Sequence, residues 1–300
     1  MNDVNPRVDL AFKKIFGIEE NKDLLISLIN SIVDKADQVT SIKLLNPYNE
    51  RSFKKDKLSV LDIKAEGHDG KKFNIEIQVS DEADYDKRAL YYWAKLYTSQ
   101  LESGTDYSTL DKVIGIHILN FTSIPEMEDY HNVFHIKDRK KGRICFRDFE
   151  LHTIELNKFT DGLGAGIEGL VSKIKNMLDI WSAFLTKHDL LDSDNLAENF
   201  NIPELKKAIG VLKIMNFSPE EREEYEDRLK WLRIEANSLK KAEARGRKEG
   251  LEEGIKEGRK EGLEEGRKEV ALVLLKQGLQ VNQISEATGL SDEEVLSLRK

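Results

Sequence analysis

Two acidic residues each interrupt an apolar alternation. In SVLDIKAE (59–66), Leu61, Ile63 and Ala65 fall on one face, and Val60, Asp62 and Lys64 on the other. In KKFNIEIQVS (71–80), Phe73, Ile75, Ile77 and Val79 alternate with Asn74, Glu76 and Gln78. Period-two patterning marks strands, and the GHDG between them marks a hairpin turn. With His68-Asp69-Gly70 as a three-residue loop and glycine left-handed, Asp62 comes opposite Glu76, with Cβ atoms about 5 Å apart. Two carboxylates at that spacing repel unless a cation lies between them, and oxygen-only ligands suit Mg²⁺ or Mn²⁺ rather than zinc. The competing reading is a solvated sheet face with two ordinary acids; spacing alone leaves both open.

Other residues could serve a polyanion. Arg88, Tyr92 and Lys95 recur at i, i+4 and i+7, which sets them along one helix face, with Tyr91, Trp93 and Leu96 expected in the core. The stretch Lys137–Arg147 (KDRKKGRICFR) holds six bases and one acid, with Lys140, Lys141 and Arg143 at its centre. It is the best candidate DNA-backbone patch. Lys13 and Lys14 read as phosphate contacts or solvated bases. The six histidines show no HxH or HExxH spacing, and neither a P-loop nor GxSxG occurs. Zinc, nucleotide-triphosphate and serine-nucleophile chemistry therefore have no support.

These residues need positioning elements. Helical spacing covers 7–33, with a break at Gly17, and 83–102. Strands are expected at 39–45, through the hairpin, at the apolar 112–121 (KVIGIHILNF) and within 143–156. That order gives an α/β domain over 1–160. A helical region follows over 161–244, with helices opened by Pro203 and Pro219. From 245 to 269 glycine occupies positions 246, 250, 254, 258, 262 and 266, amid nine acids and eight bases over 243–269. Each helix-interior glycine costs about 1 kcal/mol relative to alanine. The tract is either a self-associating helix, which would make the protein a homo-oligomer, or a charged tether. Residues 270–300 outline a helix-turn-helix whose last helix is capped by Ser291 and Glu294. That helix starts Asp292-Glu293-Glu294, which suits packing or assembly better than base reading.

Composition narrows the class. The formal charge is −8, and splitting the chain at residue 160 gives 24 bases against 27 acids, then 23 against 28. Neither part is a bulk polycation, so nucleic-acid contact must be local. One cysteine among 300 residues fits a reducing, cytoplasmic setting. The N-terminus lacks an apolar leader, and no stretch of about 18 apolar residues suggests a membrane span.

The order helix, strand, Asp-bearing strand, Glu-X-Gln strand, helix, strand resembles the PD-(D/E)XK nuclease superfamily. More narrowly, DLAFKKIFG (9–17), LDIKAEG (61–67), NIEIQ (74–78), RALYYWAKLYTSQL (88–101) and the repeated Glu-Gly units resemble the recombination-promoting nuclease, or transposase, family of bacteria. The resemblance implies a restriction-endonuclease-like core, a mixed sheet flanked by helices, ahead of the all-helical region. It implies Mg²⁺-dependent DNA hydrolysis of low sequence specificity, Mn²⁺ being an alternative ion, with a link to recombination. Carried over, Asp62 and Glu76 are the motif acids, Ile77 lends its backbone carbonyl to the metal, and Gln78 stands where the superfamily has lysine. Lys64 could supply the missing charge, and Asp9 is a candidate extra acid. The alternative function is a weak or inactive nuclease fold that binds DNA or a partner through its helical C-terminal half.

Overall fold

The computed structural model describes residues 4–46, 62–79, 84–160, 166–192 and 196–298. Val60, Leu61 and Pro47 lie outside the described residues. Contacts divide the chain into two units, Met1–Ile234 and Glu235–Lys300.

The first unit opens with α1 (Asp9–Phe16) and α2 (Lys22–Ile32), separated near Gly17 where the spacing breaks. Strands β1 (Ile42–Leu44), β2 (Ile63–Gly67) and β3 (Lys72–Gln78) form an antiparallel meander. Helix α3 (Tyr85–Thr98) crosses over to β4 (Val113–Leu119), which lies parallel to β3. Strands β5 (His131–Lys137) and β6 (Ile144–Glu155) complete a mixed sheet of order β1-β2-β3-β4-β6-β5. β4 is buried at every position, as expected of a central strand without alternation. The expected strands at 39–45, 112–121 and 143–156 are all present with trimmed ends; β5 had no expected counterpart.

Short helices α4 (Leu156–Thr160) and α5 (Ile167–Lys173) lead to α6 (Met177–Lys187) and α7 (Pro203–Ile214). The main core is one-sided. Phe73, Ile75, Ile116 and Ile154 from the sheet join Leu10, Phe12, Phe16, Leu24, Leu28, Trp181, Phe184 and Ile209 from the helices. The opposite face is covered by α3, through buried Ala89 and Leu96 and through Trp93, whose indole donates to Val113 O at 2.8 Å. Tyr91, expected in the core, is instead 60% exposed, because it sits one position off the Ala89–Leu96 seam. This second face carries the candidate chemistry.

Helix α8 (Pro219–Lys276) contains the glycine tract as uninterrupted helix. Within the second unit, Ala271, Ile284, Leu290 and Val295 form a small core between the end of α8, α9 (Val281–Thr288) and α10 (Asp292–Ser297). Gly289 takes the left-handed φ of 72° that ends α9, and the Ser291–Glu294 capping box opens α10.

Candidate active site

The hairpin sets the site. Gly70 has φ 87°, the left-handed conformation its turn requires, and the register pairs Ile63 with Ile75 and Lys64 with Asn74. Continued by one residue, that register sets Asp62 level with Glu76. Ile63, Ala65, Phe73 and Ile75 are fully buried on the core side, which fixes Asp62, Lys64, Asn74, Glu76 and Gln78 on the α3 side. The two acidic side chains keep 16% and 14% exposure. They are reachable from solvent but mostly shielded.

Each carboxylate is flanked by hydrogen-bond donors. Lys64 Nζ lies 3.1 Å from Asp62 Oδ2. Gln78 Nε2 donates to Glu76 Oε1, and Arg88 Nη2 from α3 stands 3.6 Å from the same oxygen. The parallel register pairs Glu76 with His117 of β4, whose Nδ1 is 3.9 Å from Glu76 Oε2. Burial, assisted by Arg88, lowers the His117 imidazole to about 4. The ring is therefore neutral near pH 7, and its approach to Glu76 is not an ion pair. It packs edge-on to Tyr85, 5.7 Å between centroids, and neither ring nitrogen has a hydrogen-bond partner among the described residues. No spacing motif pointed to His117. The available signal was its place as the one ionisable side chain in the apolar run VIGIHILNF (113–121).

Lys13 was expected as a phosphate contact or a solvated base, and the structure corrects this. It is 0% exposed on α1 and reaches the strand edge, where Nζ donates to Asn46 O at 2.8 Å and to Asp62 O. Burial lowers its ammonium to about 8 against the opposing pull of Asp62. Asn46 joins the same clamp: its amide donates to Asp62 O at 3.0 Å, and its Oδ1 accepts from Lys64 N at 2.7 Å. The backbone of Asp62 is thus held by two side chains from outside its sheet.

The remaining candidates fall elsewhere. Asp9 is 8% exposed; its Oδ1 accepts from Leu10 N, and its Oδ2 lies 3.5 Å from Arg228 Nε. Burial raises its carboxyl above the usual range, with Arg228 opposing. Lys14 is not a solvated base: it pairs with Glu221 at 2.7 Å and lies over the Phe217 ring. Lys95 is exposed near the end of α3. Lys140, Lys141 and Arg143 are exposed at the tip joining β5 to β6.

The donor set accommodates a hard divalent cation. Asp62 and Glu76 offer carboxylate oxygens and Ile77 a backbone carbonyl, and no cluster of three or more His, Cys, Asp or Glu suited to a metal occurs among the described residues. One or two carboxylates, with water and phosphate completing the shell, is how Mg²⁺ is commonly held; zinc would need nitrogen or sulfur ligands.

No curated protein and no solved structure matches the chain. A sequence model of the family described as PD-(D/E)XK nuclease family transposase matches residues 6–242, which takes in the whole sheet, both acids and the start of α8. The chain belongs to the PD-(D/E)XK nuclease family transposases.

Proposed function

We propose that the protein is a Mg²⁺-dependent DNA endonuclease of low sequence specificity, with Asp62, Glu76 and the Ile77 carbonyl as metal ligands. The observation that carries this reading is the hairpin register, which, continued one residue beyond the Ile63–Ile75 pair, brings two partly shielded carboxylates level. Family membership adds a nuclease-like fold that generally works with a divalent ion. When bound, that ion would supply charge stabilisation at phosphate and a more acidic water.

The chain's own residues do the rest. Asp62 and Glu76 provide the negative pocket, and the Lys13–Asn46 clamp fixes the Asp62 backbone. Lys64 and Arg88 offer positive charge to the non-bridging oxygens of a scissile phosphate. Gln78 is in place to orient a water through its amide, though a neutral amide neutralises less charge than lysine would. Asp9 would tune the site through Arg228 and not as a ligand. Lys95, Lys140, Lys141 and Arg143 would contact DNA backbone. Residues 1–160 would form the catalytic part, 161–244 its helical support, 245–269 a self-association helix, and 270–300 an assembly element of a cytoplasmic homo-oligomer.

A weak or inactive nuclease fold that binds DNA is favoured by one feature only: Gln78 and Arg88 already occupy Glu76 Oε1. Wild-type protein incubated with supercoiled plasmid separates the readings. Nicking with Mg²⁺ or Mn²⁺, stopped by EDTA, supports the nuclease. Cleavage that persists in EDTA would contradict the metal site, and none under any ion supports the binding module.

A further inference from the structure

The basic stretch 137–147 is built as a two-stranded β-ribbon. β5 and β6 pair antiparallel out to Ile136↔Phe146 and Lys137↔Ile144. The turn beyond is closed by Asp138 N to Arg143 O at 2.8 Å and Gly142 N to Asp138 O at 2.9 Å, with Gly142 at φ 66°. The one acid of the tip is spent inside this turn, where Asp138 Oδ2 accepts from Lys141 N. Every residue from 139 to 148 is exposed, although successive strand residues point to opposite faces. Both faces of this end of β6 are therefore bare.

A bare ribbon invites two kinds of partner. Strand addition from a second copy is opposed by the register shifts between Phe134, Ile136 and Lys137, since bulges on an edge strand disrupt the ladder a new strand would extend. Charge points elsewhere. Arg139, Lys140, Lys141, Arg143 and Arg147 surround exposed apolar Ile136, Ile144 and Phe146, the last 66% exposed. Bases flanking an apolar ridge complement a groove walled by phosphates and floored by base edges and thymine methyls. The major groove of B-form DNA, about 12 Å wide, admits a two-stranded ribbon, whereas the A-form major groove is too narrow and deep for side chains to read.

We propose that the β5–β6 ribbon enters the major groove of B-form duplex DNA and thereby selects double-stranded DNA as the substrate. Lys140, Lys141 and Arg143 contact phosphates, and Phe146 with Ile136 packs within the groove. This deepens the nuclease reading and rests on it for the word substrate. The binding itself does not require cleavage.

The test uses the full-length chain in EDTA, with a fluorescein-labelled 20-base-pair duplex, the matching single strand and a duplex RNA as probes. The wild type should prefer duplex DNA over both others. Neutralising the tip (Lys140→Gln, Lys141→Gln and Arg143→Gln together) should raise the duplex Kd at least about tenfold near 0.15 M salt and flatten the log–log salt slope by roughly 3. Equal affinity for all three probes, or an unchanged Kd and slope in the tip variant, would overturn the proposal. A second reading avoids mutation: the chain's one cysteine, Cys145, is exposed on the ribbon, so duplex DNA should slow its alkylation by iodoacetamide. An unaltered alkylation rate at saturating duplex would also overturn it. Duplex binding that passes these tests without Mg²⁺-dependent nicking would instead remove the nuclease reading and leave the ribbon standing.

Discussion

Buried charge decides the behaviour of individual residues. Lys13 gives the carbonyls of Asn46 and Asp62 a shared donor; without it Asp62 O keeps the Asn46 amide but Asn46 O loses its bond to Lys13, and a buried acceptor left unpaired costs about 1–3 kcal/mol. Lys13→Met should lower the unfolding free energy by about 2 kcal/mol and cut the nicking rate, with circular dichroism in urea checking the first effect; an unchanged midpoint would deny the clamp. Its burial was not legible in DLAFKKIFG, because whether a lysine meets solvent depends on the strand end that α1 packs against. Asp62 and Glu76 were legible, since alternation plus one glycine sets their register. Lys64 at 3.1 Å from Asp62 and Arg88 at 3.6 Å from Glu76 offset the like-charge repulsion of the two acids. Gln78→Lys should raise cleavage by placing a cation beside Glu76; a folded but inactive variant would assign that role to Lys64.

At the scale of elements, β6 joins ionisable groups to the core. Glu150 accepts from His152 Nε2 at 2.8 Å and from Lys112 at 2.8 Å, which leaves His152 Nδ1 to accept from His131 Nε2 of β5 at 2.9 Å. Burial and the neighbouring His152 lower His131 to about 4, from an ordinary value of 6.5. Between those values the unfolded chain binds the extra proton and the folded one does not. Stability therefore falls as pH drops from about 6.5 to 4, by at most roughly 3 kcal/mol. A His131→Asn variant should show a flatter pH profile of its thermal midpoint over that interval; an identical slope would remove His131 as the cause. β5 escaped the sequence reading because HNVFHIK mixes histidine and lysine into its alternation, and its bulges shift the pattern partway. Helix α8 was divided at its change of composition, although helical hydrogen bonding takes no notice of that boundary. A Cβ added at Gly250, Gly254 or Gly258 would meet nothing within 4 Å. Alanine there should raise helicity by about 1 kcal/mol per site, yet weaken self-association if a partner backbone uses the stripe. Circular dichroism of the triple alanine variant checks the first effect and sedimentation the second.

For the molecule as a whole, the family match ends at residue 242 and the first compact unit at Ile234. A chain ending at Lys240 should retain nicking but form a smaller assembly in light scattering and lose double-strand breaks first, because cutting both strands needs two sites. Equal mass per particle for both chains would return the tract to a spacer. Every strand but β5 was readable from its own signature, whereas the two-unit division depends on packing that no local pattern encodes. No described helix is long and apolar enough to cross a membrane. The central claim is that Asp62 and Glu76 together hold the ion that cleaves DNA. Its most direct test is the initial rate of plasmid nicking in saturating Mg²⁺ for the wild type, Asp62→Asn and Glu76→Gln, each of which removes charge with little change of shape. The account predicts that either variant loses at least about 100-fold in rate while keeping the wild-type unfolding midpoint. Nicking by either variant at the wild-type rate would contradict it.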